Sequence, residues 1–188
     1  MSRVNIHSAR PRRRLLRLSV LGAAGAVAVG LAAAPASADP VHAAPASAQR
    51  AQLLGIPLAA GTASLATDLA VAYTLAERDA RAAGVPLRIN SGKRSRAEQA
   101  VLWREGLRVY GSPGAARRWV LPPNESTHVT GEAIDVAPRA GAAWLQRHGY
   151  RWGLCRTFDN EWWHFERQTL PGTPCPPRWA DASVRPRR

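Results

Sequence analysis

The chain has 188 residues, with 26 Lys and Arg against 13 Asp and Glu, for a formal charge of +13. At about 100–200 residues per domain this is one catalytic-sized domain with appendages, and 46% apolar residues exclude wholesale disorder. Two cysteines exclude a four-cysteine zinc module and a dense disulfide scaffold. Much of the charge sits at the start. Residues 1–38 hold Arg3, Arg10, Arg12, Arg13, Arg14 and Arg17 and no acid, so the remainder carries +7. Such a surface attracts polyanions generally. The chain has no helix-turn-helix signal, zinc-finger spacing or aromatic-basic RNA motif, so nucleic acid is not the expected partner. An anionic cell wall or membrane surface suits the charge equally well.

The first 38 residues read as a secretory signal peptide. A basic stretch at 10–17 precedes an apolar run at 18–34, and Ala36-Ser37-Ala38 gives a small-x-small cleavage site. The segment Pro11-Arg12-Arg13-Arg14-Leu15-Leu16-Arg17 also resembles a twin-arginine export signal. The apolar run is near the lower limit for a bilayer span, and Gly22, Gly25 and Gly30 weaken it as a helix. No stable membrane span is therefore expected after cleavage, and the mature chain is expected to be a monomer in the cell envelope or medium. In an oxidising compartment Cys155 and Cys175 most simply form one disulfide. Neither shows the sequence signature of a cysteine nucleophile.

Residues 39–61 are rich in Ala, Pro, Ser and Gly and read as a linker. From Thr62 the pattern turns helical: Leu65, Leu69, Ala72, Tyr73, Ala76, Ala80 and Ala83 recur at helical spacing, and Gly84 can close the helix. Residues 85–90 read as a short strand. Ser95 and Glu98 make a capping box for a second helix carrying Ala100, Val101, Trp103, Leu107 and Tyr110 and ending near Gly111. Residues 111–131 read as one long loop, of the kind that is usually functional or mobile. Strands are expected at 133–137, 150–154 and 162–167, with a short helix at 142–148 capped by Gly149. The chain ends in a Pro-rich stretch and a basic tail at 181–188, which leaves 62–180 as the folded domain. Helices first and strands mostly later predict an α+β fold with a small antiparallel sheet and flanking helices.

Four histidines follow residue 38. His42 lies in the linker, and His148 sits in the last turn of a helix, where a partly charged imidazole suits the helix dipole. His128 and His164 stand in richer settings. Ser126-Thr127-His128-Val129-Thr130-Gly131-Glu132-Ala133-Ile134-Asp135 puts a carboxylate in the middle of an apolar strand, between the small Ala133 and Ala137. Burying it is costly unless it is paired or bound to metal. Glu161-Trp162-Trp163-His164-Phe165-Glu166 embeds an imidazole among aromatics, with Glu161 three residues before it. Two His and one Asp can supply three ligands of a catalytic zinc, with a nearby Glu free to take a proton from water. Each piece alone has a plain alternative: a strand Asp can cap a loop, and a His among aromatics can simply be packed.

Together the motifs resemble a known family. Ser126-x-His128-x-x-Gly131-x-Ala133-x-Asp135, with Glu161-x-Trp163-His164 and with Ser91-Gly92-Lys93-Arg94-Ser95-Arg96-Ala97-Glu98-Gln99, is similar to the VanY-type D-alanyl-D-alanine carboxypeptidases, zinc peptidases of the hedgehog/DD-peptidase fold. The resemblance spans about residues 62–170. It implies one Zn2+ held by His128, Asp135 and His164, Glu161 as catalytic base, and Arg94 facing the substrate carbonyl. It places Ser126 and Gln99 along the substrate site, with Trp163 as a wall beside His164. Trp162 stands where many relatives carry Pro. Cys155 and Cys175 also look like a pair found in secreted relatives. The implied substrates are peptidoglycan stem peptides, cut most simply at the terminal D-Ala. Two alternatives stay open: an L-Ala-D-Glu endopeptidase, and a non-catalytic wall-binding module on the same fold. Arg117 and Arg118, in the long loop, are candidate anchors for a substrate carboxylate or solvated surface groups.

Overall fold

The computed structural model describes residue 55 and residues 57–186; the expected signal peptide and most of the expected linker lie outside the described residues. Helix α1 (Thr67–Ala82) buries the stripe Leu69, Ala72, Tyr73, Ala76 and Ala80, and Gly84 follows it with a φ of 69°. The four strands β1 (Arg88–Ser91), β2 (Ala133–Ala137), β3 (Leu154–Arg156) and β4 (His164–Arg167) form one antiparallel sheet in the order β1-β2-β4-β3. Side chains alternate across a strand. Ile134, Val136 and Phe165 therefore join Leu154, α1 and the later Ala142, Trp144 and Leu145 in the core, while Asp135, His164 and Glu166 go to the other face.

Helix α2 (Arg96–Tyr110) starts at the expected capping box. The Ser95 hydroxyl accepts from the Glu98 amide, the Glu98 carboxylate accepts from the Ser95 amide, and Gly111 ends the helix in the left-handed region. Its only buried residues are Gln99 and Gly106. Trp103 is half-buried under the Arg117 guanidinium, which lies 5.7 Å from its ring. Helix α2 packs on the short segment after it instead of on the sheet.

That segment is not one irregular loop. It contains two single-turn helices, α3 (Pro113–Ala116) and α4 (Thr127–Thr130). Ser112 caps α3 by accepting from Ala115 N–H, and Pro113 takes a first-turn position that needs no donor. Helix α5 (Arg139–His148) begins three residues before the expected start. Residues 149–152 form a 3-10 turn in place of the expected strand, and β3 starts only at Leu154. Gly153 explains the shift: its φ is 74°, and a Cβ there would lie 2.2 Å from the Thr169 carbonyl oxygen. The last strand likewise starts at His164, with Trp162 and Trp163 in the turn before it.

The C-terminal stretch is held down along its length. Cys155 and Cys175 are disulfide-bonded, Trp179 N–H donates to Thr157 O at 3.0 Å, and Arg178 pairs with Asp159. Asp181 caps a last 3-10 turn at Ala182–Val184 and receives Arg118 at 3.1 Å. Arg185 returns to the sheet and pairs with Glu166. No helix among the described residues is long and apolar enough to cross a membrane.

Candidate active site

Strand register builds half the site. Asp135 and His164 are direct partners across β2 and β4, and Ser91 of β1 faces Asp135 from the other side after an irregularity in the β1–β2 pairing. Cross-strand partners on one face lie about 5 Å apart, close enough for two short polar side chains to converge. His128 arrives from above the sheet on α4. Its Nδ1 donates to Gly92 O at 2.8 Å, and its own carbonyl accepts Arg94 N–H at 3.0 Å. Gly131 ends that turn with a φ of 79°, and a Cβ there would meet Ser64 O at 3.1 Å and Ala66 N at 3.2 Å. Only glycine lets the turn sit this close to the chain leading into α1.

The three side chains meet at a point. His128 Nε2, His164 Nδ1 and Asp135 Oδ1 form a triangle with every side 3.3 Å. A tetrahedral ion with bonds of about 2.0–2.1 Å has ligand-to-ligand edges of about 3.3 Å, so the donor set fits one metal ion. The outer nitrogens fix the tautomers. His128 Nδ1–H is committed to Gly92 O, and His164 Nε2–H to Glu166 Oε1 at 3.1 Å, so in the neutral rings the lone pairs of Nε2 and Nδ1 point inward. All three residues are buried.

The electrostatics suit a cation. Burial dominates His128 and lowers its pKa, which keeps the ring neutral. Burial opposes the charge on Asp135, but His128 and His164 outweigh it and hold the carboxyl well below the usual range. Burial also opposes charge on His164, yet its hydrogen bonds to Asp135 and Glu166 push it up to about 10.

Glu161 lies beside the triangle and outside it, its Oε2 3.9 Å from His164 Nδ1. Burial pushes its carboxyl up to about 7, with the Asp135 charge adding and His164 opposing. Arg94 is tied first to the site itself. Nη2 donates to Asp135 Oδ2 at 2.7 Å, Nη1 to Gln99 Oε1 at 3.2 Å, and Nε to Ser91 Oγ at 3.1 Å. Three of its five N–H groups are thus engaged. Gln99 is fully buried, and its amide spans from Arg94 to Leu121 O, which it reaches at 2.8 Å. Ser126 is buried at the start of α4. Trp163 is half-buried, with its ring edge-on to Trp162 at 5.4 Å, and its carbonyl accepts from Val136 N–H at 2.9 Å.

Arg117, largely covered, forks onto Glu125, while Arg118 keeps its side chain 64% exposed and pairs with Asp181. The sequence reading overlooked Glu166, Thr127 and Arg185. Glu166 had a usable signal, because it follows His164 by two in a strand and so shares its face. Arg185, far along the chain, had none.

A buried pair of imidazoles and one carboxylate around a single point, with a second carboxylate alongside, is a cluster that could hold one metal ion on a small α+β domain. The family profile VanY, D-alanyl-D-alanine carboxypeptidase, matches residues 62–166, and the chain belongs to that family. Membership makes it a peptidase of the peptidoglycan-directed kind. No curated protein sequence matches the chain significantly. Among solved structures it is similar to a Zn(II) complex of a mutant of the vancomycin-resistance D,D-pentapeptidase VanY, with 25% identity and a TM-score of 0.49 over 54% of this chain and 71% of that one. It is also similar to the LdcB LD-carboxypeptidase, with 25% identity and a TM-score of 0.48 over 54% and 58% of the two chains. A third is DacB from Streptococcus pneumoniae D39, with 23% identity and a TM-score of 0.46 over 58% and 67%.

Proposed function

We propose that the protein is a secreted zinc peptidase that removes the terminal D-Ala from peptidoglycan stem peptides. The observation that carries this reading is the 3.3 Å triangle of His128 Nε2, Asp135 Oδ1 and His164 Nδ1 with Glu161 beside it. Two imidazoles and a carboxylate are a zinc-type donor set that leaves a fourth position for water or substrate. His128, Asp135 and His164 would hold a zinc ion there, which would supply Lewis acidity toward the scissile carbonyl and bound water.

The chain's own residues supply the rest. Glu161 accepts the proton of the attacking water on its carboxylate and hands it to the departing amine. Its buried setting suits this shuttle, since a carboxyl lifted toward neutrality both takes and gives a proton. Arg94 fixes Asp135 through Nη2, and its two remaining N–H groups would stabilise charge growing on the substrate oxygen. Gln99 acts as the strut that keeps the Arg94 plane in register with the segment at Leu121. The family resemblance puts Trp163 and Ser126 along the substrate site. The paired β2 and β4 hold Asp135 and His164 without reorganisation at the moment of reaction.

Digestion of purified muropeptides by the mature protein tests this. Loss of one terminal D-Ala, abolished by a chelator and restored by zinc, is the expected result. Cleavage between L-Ala and D-Glu would make it an endopeptidase instead. Zinc-loaded protein that binds muropeptides and cuts none would make it a binding module.

A further inference from the structure

Glu166 sits at a junction. Its Oε1 accepts from His164 Nε2 at 3.1 Å, from Thr127 Oγ1 at 2.9 Å and from Arg185 Nη1 at 2.6 Å, while Oε2 accepts from Arg185 Nη2 at 2.8 Å. The carboxylate is 2% exposed and the Arg185 side chain 12%. Thr127 precedes the ligand His128 on α4, and Glu166 follows the ligand His164 by two on β4. One carboxylate therefore touches the supports of two of the three candidate ligands. A planar guanidinium gripping both of its oxygens fixes its rotation, which a single hydrogen bond cannot do. The segment that delivers Arg185 is itself anchored by Cys155–Cys175, by Trp179 on Thr157 and by Asp181 on Arg118.

We propose that Arg185 is a positioning residue of the metal site: the C-terminal segment folds back so that its guanidinium clamps Glu166 in the orientation that holds the His164 ring, leaving Nδ1 aimed at the metal. The inference rests on the reading of His128, Asp135 and His164 as zinc ligands. Partners that orient a ligating histidine typically change metal affinity by about 10–100-fold when lost. The clamp makes the segment around Arg185 part of the site, although Arg185 is far from the ligands in sequence.

The test is the zinc dissociation constant, measured on the full mature chain by competition with a chromophoric chelator, for wild type, Arg185→Ala, Arg185→Lys, Glu166→Gln and the Arg185→Ala/Glu166→Gln pair. Circular dichroism verifies that each is folded. Arg185→Ala is expected to weaken zinc binding by about 10–100-fold. Arg185→Lys, with charge but no fork, should recover part of that loss. The double variant should lose no more than Glu166→Gln alone, because the guanidinium acts only through that carboxylate. Unchanged zinc affinity in folded Arg185→Ala would overturn the proposal, as would losses that multiply in the double variant or a Lys variant no better than Ala. Wild-type protein that binds no zinc would defeat the zinc-peptidase reading itself. Tight zinc binding with no dependence on Arg185 would defeat the clamp alone.

Discussion

Glu161→Gln separates chemistry from metal binding. The amide has the same shape as the carboxyl and fills the same buried space, but it cannot accept a proton. Loss of a general base typically costs about 10²–10⁴ in rate, or roughly 3–5 kcal/mol of barrier at 1.36 kcal/mol per decade. Metal content should not follow, because Glu161 Oε2 stands 3.9 Å from His164 Nδ1 and lies outside the cluster of His128, Asp135 and His164. The assay is D-Ala release from a purified stem pentapeptide, with zinc content measured on the same samples. One zinc per chain with turnover down at least a hundredfold is expected. Turnover within tenfold of wild type at full zinc would remove Glu161 from its role, and loss of zinc would make it a ligand. Its ionisation adds a pH signature. Burial lifts the carboxyl to about 7, and only the ionised form can act as base. Activity should therefore fall as pH drops below neutrality, with a midpoint between the ordinary value of about 4.3 and 7, since a bound dication pulls the value down. A rate that rises from pH 7 to pH 5 would contradict the assignment.

Three further outcomes are expected. Arg94→Lys keeps a charge but loses the fork that reaches Ser91, Gln99 and Asp135 together. The value of kcat/KM should fall by about 10²-fold, the scale of a lost oxyanion donor, and near-wild-type kinetics would sink that role. In protein stripped of metal by a chelator, His164 is charged at pH 8 because its pKa is raised to about 10, and zinc must displace the Nδ1 proton. Titration calorimetry in buffers of different ionisation enthalpy should show close to one proton released, with affinity rising as pH rises toward 10; zero release would contradict it. Cys175→Ser opens a loop of 20 residues, for which chain entropy gives about 3 kcal/mol. The Tm should drop on the order of 10 °C, and an unchanged Tm would show that the segment is held without the bond.

The sheet and site were legible to different depths. The strand Ala133–Ala137 and the start of α2 followed from local chemistry: a five-residue apolar run around one carboxylate, and a Ser-x-x-Glu box. The expected strand at 150–154 failed because Tyr150, Trp152 and Leu154 alternate like a strand, while Gly149 and Gly153 wind the chain into a 3-10 turn and leave Tyr150 42% exposed. Asp135 and His164 could be singled out because a carboxylate and an imidazole inside apolar strands carry a desolvation cost that needs a reason, whereas His128 and Glu161 stood out through the motifs that carry the family resemblance. The hydrogen-bond partners around them were beyond reach. Arg94 looked like a group facing substrate, and its bond to Asp135 depends on the irregular β1–β2 pairing, which no local pattern encodes. Arg185 meets Glu166 where the disulfide and the contacts of Arg178, Trp179 and Asp181 bring the C-terminal segment back to the sheet.

The measurement that bears most directly on the account is anomalous diffraction at the zinc edge from crystals of the mature protein. A single peak within about 2.0–2.2 Å of His128 Nε2, His164 Nδ1 and Asp135 Oδ1 is the predicted result. Zinc found elsewhere, or bound by only one of those three side chains, would contradict it.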